Sequence, residues 1–354
     1  MRRRSHRKLK PIHFLHNPAP ELLADSVEAF LAQLGDATLI VVDGEDNTRV
    51  RAVATLLHGN EPSGVKAIYH WLRSGRRPVV KIICLVASVQ TALHEPVFQH
   101  RVIPGQRDMN RCFRPPYDDH QGRIAVQFLD ILEHYQPECL IDIHNTSGMS
   151  PSFGVAVHET PVHEALVHLF TQRLIITELR LGALMEISHE SLPVVTIECG
   201  GSNQPESDQT AQQGLEQYLF AGDILKLPTD VVDMDMYRHA VRLELQPGTH
   251  IAYAEQPIDG ADLTIPGDVE KFNFCVVPPL TRIGWLGTQG LAPLSMRNAR
   301  NEDVLSQYLI ARNQAIYTAQ QLKLFMVTTS PAIAISDCLF YAAAETEHSL
   351  LSLR

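Results

Sequence analysis

Three short polar clusters each follow directly on a run of strand type, and this recurrence constrains the fold more than any other feature of the chain. Ala52 to Leu57 leads into His58-Gly59-Asn60-Glu61. Glu138 to Ile143 leads into His144-Asn145-Thr146-Ser147, and Val194 to Ile197 leads into Glu198-Cys199-Gly200-Gly201. The first run is almost wholly apolar, as expected of a strand covered on both faces. Helical spacing lies between the runs: Val65, Ile68, Trp71 and Leu72 share one side, and Gln121 to Tyr135 and Glu206 to Leu225 repeat the pattern. Strands alternating with helices predict an α/β layered domain with a mostly parallel or mixed central sheet. In open sheets of this kind, ligands bind beyond the carboxyl ends of the strands. The three clusters are therefore expected to converge.

Further elements extend the pattern. A helix is expected over residues 22 to 34, and strands at Thr38 to Val42, Val79 to Ala87 and Ser152 to Val157, with a helix near Pro161 to Arg173. Ser88 to Tyr117 carries prolines at 96, 104, 115 and 116 and reads as a long irregular loop, a length that usually has a function. After about residue 228 the texture changes. Val241 to Leu245, Ile251 to Ala254, Phe272 to Val277 and Arg282 to Leu286 are short strand-like runs broken by Gly and Pro, with one helix expected near Val304 to Gln321. This divides the chain into residues 1–228, a catalytic domain, and 229–354, a smaller β-rich domain. A chain of 354 residues with 45% apolar content can bury a core in each.

The formal net charge of −10 argues against nucleic acid as the main partner. The basic start, Met1 to Lys8, lacks the apolar stretch of a secretory signal and reads as a solvated tail. No run approaches the roughly 18 apolar residues of a membrane span. Six scattered cysteines without CxxC spacing fit free thiols in a reducing cytoplasm, and a cysteine-based metal site is not expected. The oligomeric state stays open, a homo-oligomer included.

The chemistry resides in the clusters. His58 and Glu61 stand three apart in a glycine-containing turn at a strand end, which can aim both side chains at one point. With His144 they form two imidazoles and a carboxylate, a set that suits one catalytic Zn2+ and leaves a fourth position for water. Asp142 is placed to orient a histidine as a hydrogen-bond acceptor. Glu198, at the rim, can take a proton and later return it to a leaving amine. Arg107-Asp108-Met109-Asn110-Arg111 lies in the irregular loop, where a guanidinium fork and neutral donors could grip a carboxylate. Each feature alone has a bland alternative, such as a chance HxxE or a surface ion pair. Their ordered combination is what carries weight.

His58-Gly59-Asn60-Glu61-Pro62-Ser63-Gly64, Asp108-Met109-Asn110-Arg111, Asp142-Ile143-His144-Asn145-Thr146 and Ile197-Glu198-Cys199-Gly200, in that order, resemble the succinylglutamate desuccinylase/aspartoacylase family, relatives of the zinc carboxypeptidases. The resemblance spans roughly residues 35 to 225. Pro257 to Phe274 and Thr281 to Trp285 look, less specifically, like the family's small β domain. It implies a zinc-carboxypeptidase-like three-layer domain, with His58, Glu61 and His144 as zinc ligands and Glu198 as general base and acid. Asn110 and Arg111 would clamp a substrate carboxylate. The family's oxyanion arginine falls on Arg101 or Arg107, because the spacing before Asp108 departs from the family's. Tyr341 is a candidate for a pocket tyrosine. The implied activity is cleavage of the amide bond of a small N-acyl amino acid. The alternatives are a carboxypeptidase-like enzyme acting on a peptide, and a metal-binding protein without catalysis.

Overall fold

The computed structural model describes residues 11–226 and 234–344. The basic start of the chain and the boundary between residues 228 and 229 lie outside the described residues. Strands β1 (His13–His16), β2 (Thr38–Val42), β3 (Asp46–Thr55), β4 (Val80–Val86), β5 (Leu140–Thr146), β6 (Phe153–Ala156), β7 (Arg173–Ile176), β8 (Val194–Gly201) and β9 (Asp235–Tyr237) form one mixed sheet. Its order is β1-β2-β4-β3-β5-β8-β6-β7-β9. The central four, β4, β3, β5 and β8, run parallel, while β2 against β4 and β6 against β8 are antiparallel.

Alternate residues of the central strands enter two separate cores, which is why these strands read as apolar on both sides. Val53, Ile141, Ile143, Val195 and Ile197 pack beneath α1 (Val27–Leu34), α2 (Ser63–Ser74), α5 (Pro161–His168) and α6 (Pro205–Phe220). Ala52, Ala54, Leu140 and Val194 face α4 (His120–Tyr135) on the other side. A short α3 (Val89–Leu93) starts the irregular segment. The result is three layers, helix, sheet, helix. A Cβ on Gly64 would lie 2.1 Å from Thr55 Oγ1 and 3.0 Å from Ile143, so α2 seats this close to β3 and β5 only with glycine there. Arg51, fully buried on β3, donates to Glu138 and to the carbonyls of Tyr218, Ala221 and Gly222. It thereby satisfies carbonyls that α6 leaves open at its C-terminus.

The rest of the described chain is β-rich. Strands β10 (Val241–Leu245), β11 (Ile251–Tyr253), β12 (Leu263–Ile265), β13 (Val276–Val277), β14 (Arg282–Leu286), β15 (Leu294–Arg297), β16 (Leu309–Arg312), β17 (Ala315–Thr318), β18 (Leu322–Phe325) and β19 (Phe340–Ala344) form two five-stranded sheets. Their orders are β13-β18-β19-β10-β15 and β11-β12-β14-β17-β16. Leu243, Leu324 and Phe340 of the first meet Leu263, Ile283 and Ile316 of the second in a shared core. This region docks on the large sheet through Phe153, Ile175, Ala240, Phe325 and Ala343. The rings of Phe153, Phe274, Phe325 and Tyr237 interlock there at centroid distances of 4.9 to 5.9 Å.

Several expected elements are corrected. The helix expected over Val304 to Gln321 is a single turn, α7 (Leu305–Tyr308), followed by the β16–β17 hairpin. Asn313 and Gln314 sit at φ 48° and 56°, the left-handed conformation that a tight two-residue hairpin needs. The helix expected from residue 22 begins at Val27, where the Ser26 side chain accepts from Ala29 N and caps it. The helix expected to reach Arg173 stops at His168, because Arg173 opens β7. The strand expected from Phe272 is confined to Val276–Val277. A last short helix, α8 (Pro331–Ser336), precedes β19.

Candidate active site

The three clusters do converge, at the carboxyl ends of three neighbouring strands. His144 and Glu198 are register partners on β5 and β8, inside the strands rather than beyond them. His58 and Glu61 lie in the turn between β3 and α2. That turn is held from two directions. Gly59 N donates to Arg101 O at 3.1 Å, and a Cβ on Gly59 would come within 2.7 Å of His100 O, so glycine lets the irregular loop lie directly against the turn. On the other side Asn145 accepts from Ser63 N and donates to Ser63 Oγ and Gly200 O, tying α2, β5 and β8 together at the site.

His58, Glu61 and His144 are buried, and one ligand-type atom from each lies within 4.8 Å of the others. The two oxygens of Glu61 divide between them: Oε1 is 2.8 Å from His58 Nδ1 and Oε2 is 2.6 Å from His144 Nδ1. Each histidine turns its other nitrogen to a different carboxylate, His58 Nε2 to Asp108 at 2.9 Å and His144 Nε2 to Asp142 at 2.8 Å. Carboxylates behind both rings fix the imidazole orientation and leave both Nδ1 atoms facing one point, an arrangement typical of metal ligands. The donor set suits a divalent metal of the zinc kind.

Charges in this cluster are strongly perturbed. Burial opposes the Glu61 charge, but the two imidazoles outweigh it and hold its carboxyl below the ordinary range. Glu198 shows the reverse. Burial raises it, with Glu61 adding to the rise against the pull of the histidines and Arg101, and its pKa is pushed up to about 7. Its Oε2 is buried without a hydrogen-bond partner. An orphaned carboxylate oxygen is costly, and this one stands on the strand beside His144.

The irregular loop supplies arginines, and the structure separates them. Arg101 reaches the cluster: its guanidinium lies 3.4 Å from Glu61 Oε1 and 3.1 Å from Asp108 Oδ2. Arg107 does not. It pairs with Asp119 and donates to Pro116 O at 2.9 Å, away from the cleft. Asn110 and Arg111 line the cleft, but both are engaged. Asn110 Oδ1 accepts from Leu184 N, and Arg111 donates to Asn110 O and to Asp337. Tyr341 on β19 also lines the cleft. Sequence reasoning named Asp108 without giving it a task, although its place next to a candidate clamp was a signal. It missed Asp337 and Arg242 altogether, and no motif surrounds either residue. The six cysteines are free, and Cys199 is buried, its thiol pushed well above its usual range by burial. No described helix is long and apolar enough to cross a membrane.

No protein-family model matches the sequence, and no curated protein sequence matches it. Solved structures do match. A succinylglutamate desuccinylase/aspartoacylase from Rhodobacter sphaeroides is similar at a TM-score of 0.51 and 12% identity, over 87% of this chain and 88% of that one. The succinylglutamate desuccinylase of Vibrio cholerae is similar at 0.51 and 15%, over 90% of this chain and 99% of that one. Murine aminoacylase 3 is similar at 0.51 and 16%, over 85% and 96%. This chain has the fold of the succinylglutamate desuccinylase/aspartoacylase structures.

Proposed function

We propose that the chain is a metal-dependent hydrolase of the desuccinylase/aspartoacylase kind that cleaves the amide bond of a small N-acylated compound. The observation that carries this reading is the juxtaposition of the buried His58–Glu61–His144 cluster with the partnerless, proton-affine carboxylate of Glu198. The fold shared with structures named for deacylation adds weight.

His58, Glu61 and His144 would hold the ion, and zinc is the metal proposed. When bound it would act as a Lewis acid and bring the pKa of a water to about 7. The protein's own part follows from its geometry. Asp108 and Asp142 keep the two imidazoles oriented. Glu198, with a pKa of about 7, accepts a proton from the attacking water and returns it to the departing amine nitrogen. Arg101 is the oxyanion residue in this reading, because it stands beside Glu61 while Arg107 is turned to Asp119.

A small substrate is favoured over a long peptide because the β-rich region walls the cleft with Ala240, Met326, Ile333 and Tyr341. The test is metal content and amine release on protein purified without chelator, against acylated amino acids and short peptides. About one zinc per chain, with turnover that Glu198→Ala abolishes, supports the proposal. Zinc with peptide turnover alone would move the reading to a carboxypeptidase-like enzyme. Protein that binds no metal, even on reconstitution, would sink it.

A further inference from the structure

The arginine clamp of the cleft already holds a carboxylate, and it belongs to the chain itself. Asp337, at the end of α8 in the β-rich region, reaches into the cleft lined by Arg101 and Arg111. Its Oδ1 accepts from Arg111 Nη2 at 3.1 Å and from Arg242 Nη1 at 3.1 Å, and its Oδ2 lies 3.7 Å from Arg101 Nη2. The side chains involved are largely shielded, between 13% and 26% exposed. Burial disfavours the charge on Asp337, but these arginines outweigh it and hold the carboxyl below its ordinary range.

The charges balance. Arg101 is shared by Asp108 and Asp337, Arg111 is on Asp337, and Arg242 is on Asp337 and Glu244. Three guanidiniums face three carboxylates once Glu61 is assigned to the metal cluster. No cation in the group is left over for an incoming anion, and a substrate carboxylate placed there would meet the charge of Asp337. Apolar side chains of Val155, Ile175, Leu179, Leu181, Met185 and Ile333 line the same cleft, together with a few neutral polar ones. Apolar lining and a neutralised clamp solvate a free carboxylate poorly.

We propose that Asp337 is a specificity determinant: by filling the arginine clamp from within, it makes the cleft take an acylated compound whose end at the clamp is uncharged and apolar, and turns away one that carries a free carboxylate there. This rests on the proposed amide hydrolysis for its chemistry, but the binding preference stands apart from it. Like charges brought together in a shielded site repel strongly, and specificity is commonly built by such repulsion.

The test uses zinc-reconstituted full chain and two matched compounds, an N-hexanoyl amino acid with an apolar side chain and its primary carboxamide. Amine release gives kcat and KM, and calorimetry on the Glu198→Gln background gives binding without turnover. The wild-type chain should prefer the carboxamide by at least about tenfold, expressed in KM and in binding. Asp337→Asn should move the ratio toward the acid by at least about tenfold, and Asp337→Glu should keep the original preference. Tighter binding of the acid by the wild-type chain overturns the proposal, whether or not Asp337→Asn folds. So does an unchanged ratio in a folded Asp337→Asn variant, and so does failure of the wild-type chain to bind either compound. Binding of the carboxamide without any turnover would count against the hydrolysis alone and leave the specificity reading in place.

Discussion

The two regions that meet at the cleft contribute in different ways. The layered α/β region supplies the groups proposed to react, His58, Glu61, His144 and Glu198, all at the ends of β3, β5 and β8 or in the turn after β3, and so placed by the hydrogen-bond register of one sheet. The β-rich region supplies none of these. It supplies Asp337, Met326 and Tyr341 to the cleft lining and Arg242, on β10, to the pairing of Asp337, and it docks on β6, β7 and β9 through the aromatic cluster around Phe325. In the proposed function, chemistry is thus built on a parallel sheet, where a shift of register would displace every proposed ligand together. The proposed selection is built on a docked surface, where residues can change without disturbing that register.

The sharpest test of this division is Glu198→Gln. It should lower kcat about 10²- to 10⁴-fold while zinc content, read by elemental analysis, stays unchanged. In the parent chain kcat/KM should climb with pH up to about 7 and then level, since only ionised Glu198 can take the proton and its pKa is about 7. A flat profile from pH 5 to 8 would remove Glu198 from the chemistry.

Docking of the two regions can be broken next. Phe325→Ala truncates a fully buried ring in contact with Tyr237 and Phe274 and should cost about 3–5 kcal/mol of stability by denaturant unfolding. If the regions act as described, substrate binding should weaken in that variant more than zinc binding does. Asp142→Asn should weaken zinc affinity about 10- to 100-fold in a chelator competition, by loosening the His144 ring. The smallest effect is expected at Arg107→Gln: a pair with Asp119 near the surface contributes about 0–1 kcal/mol, and activity should not change. Arg101→Gln should by contrast lower kcat about 10²- to 10³-fold. Equal effects of the two arginine changes would contradict the assignment of Arg101.

How far this was readable from the chain depends on the distance over which each signal acts. The central strands were readable because both of their faces are buried, which leaves runs such as Ile82 to Val86 apolar throughout. The β16–β17 hairpin was missed because Asn313-Gln314 lacks the usual glycine of a tight turn. The thin strands β7 and β9 were missed because four and three residues carry no periodicity.

The sequence by itself determined the layered α/β architecture, the order of the polar clusters and their place at strand ends, because backbone periodicity and burial are written locally in residue type. Only the tertiary structure decided which of Arg101 and Arg107 faces Glu61, which carboxylate stands behind His58, and what already occupies the fork of Arg111. Those are choices of direction among side chains of the same kind. Packing between segments far apart in the chain makes them, and Asp337 meets Arg111 across 226 positions of sequence.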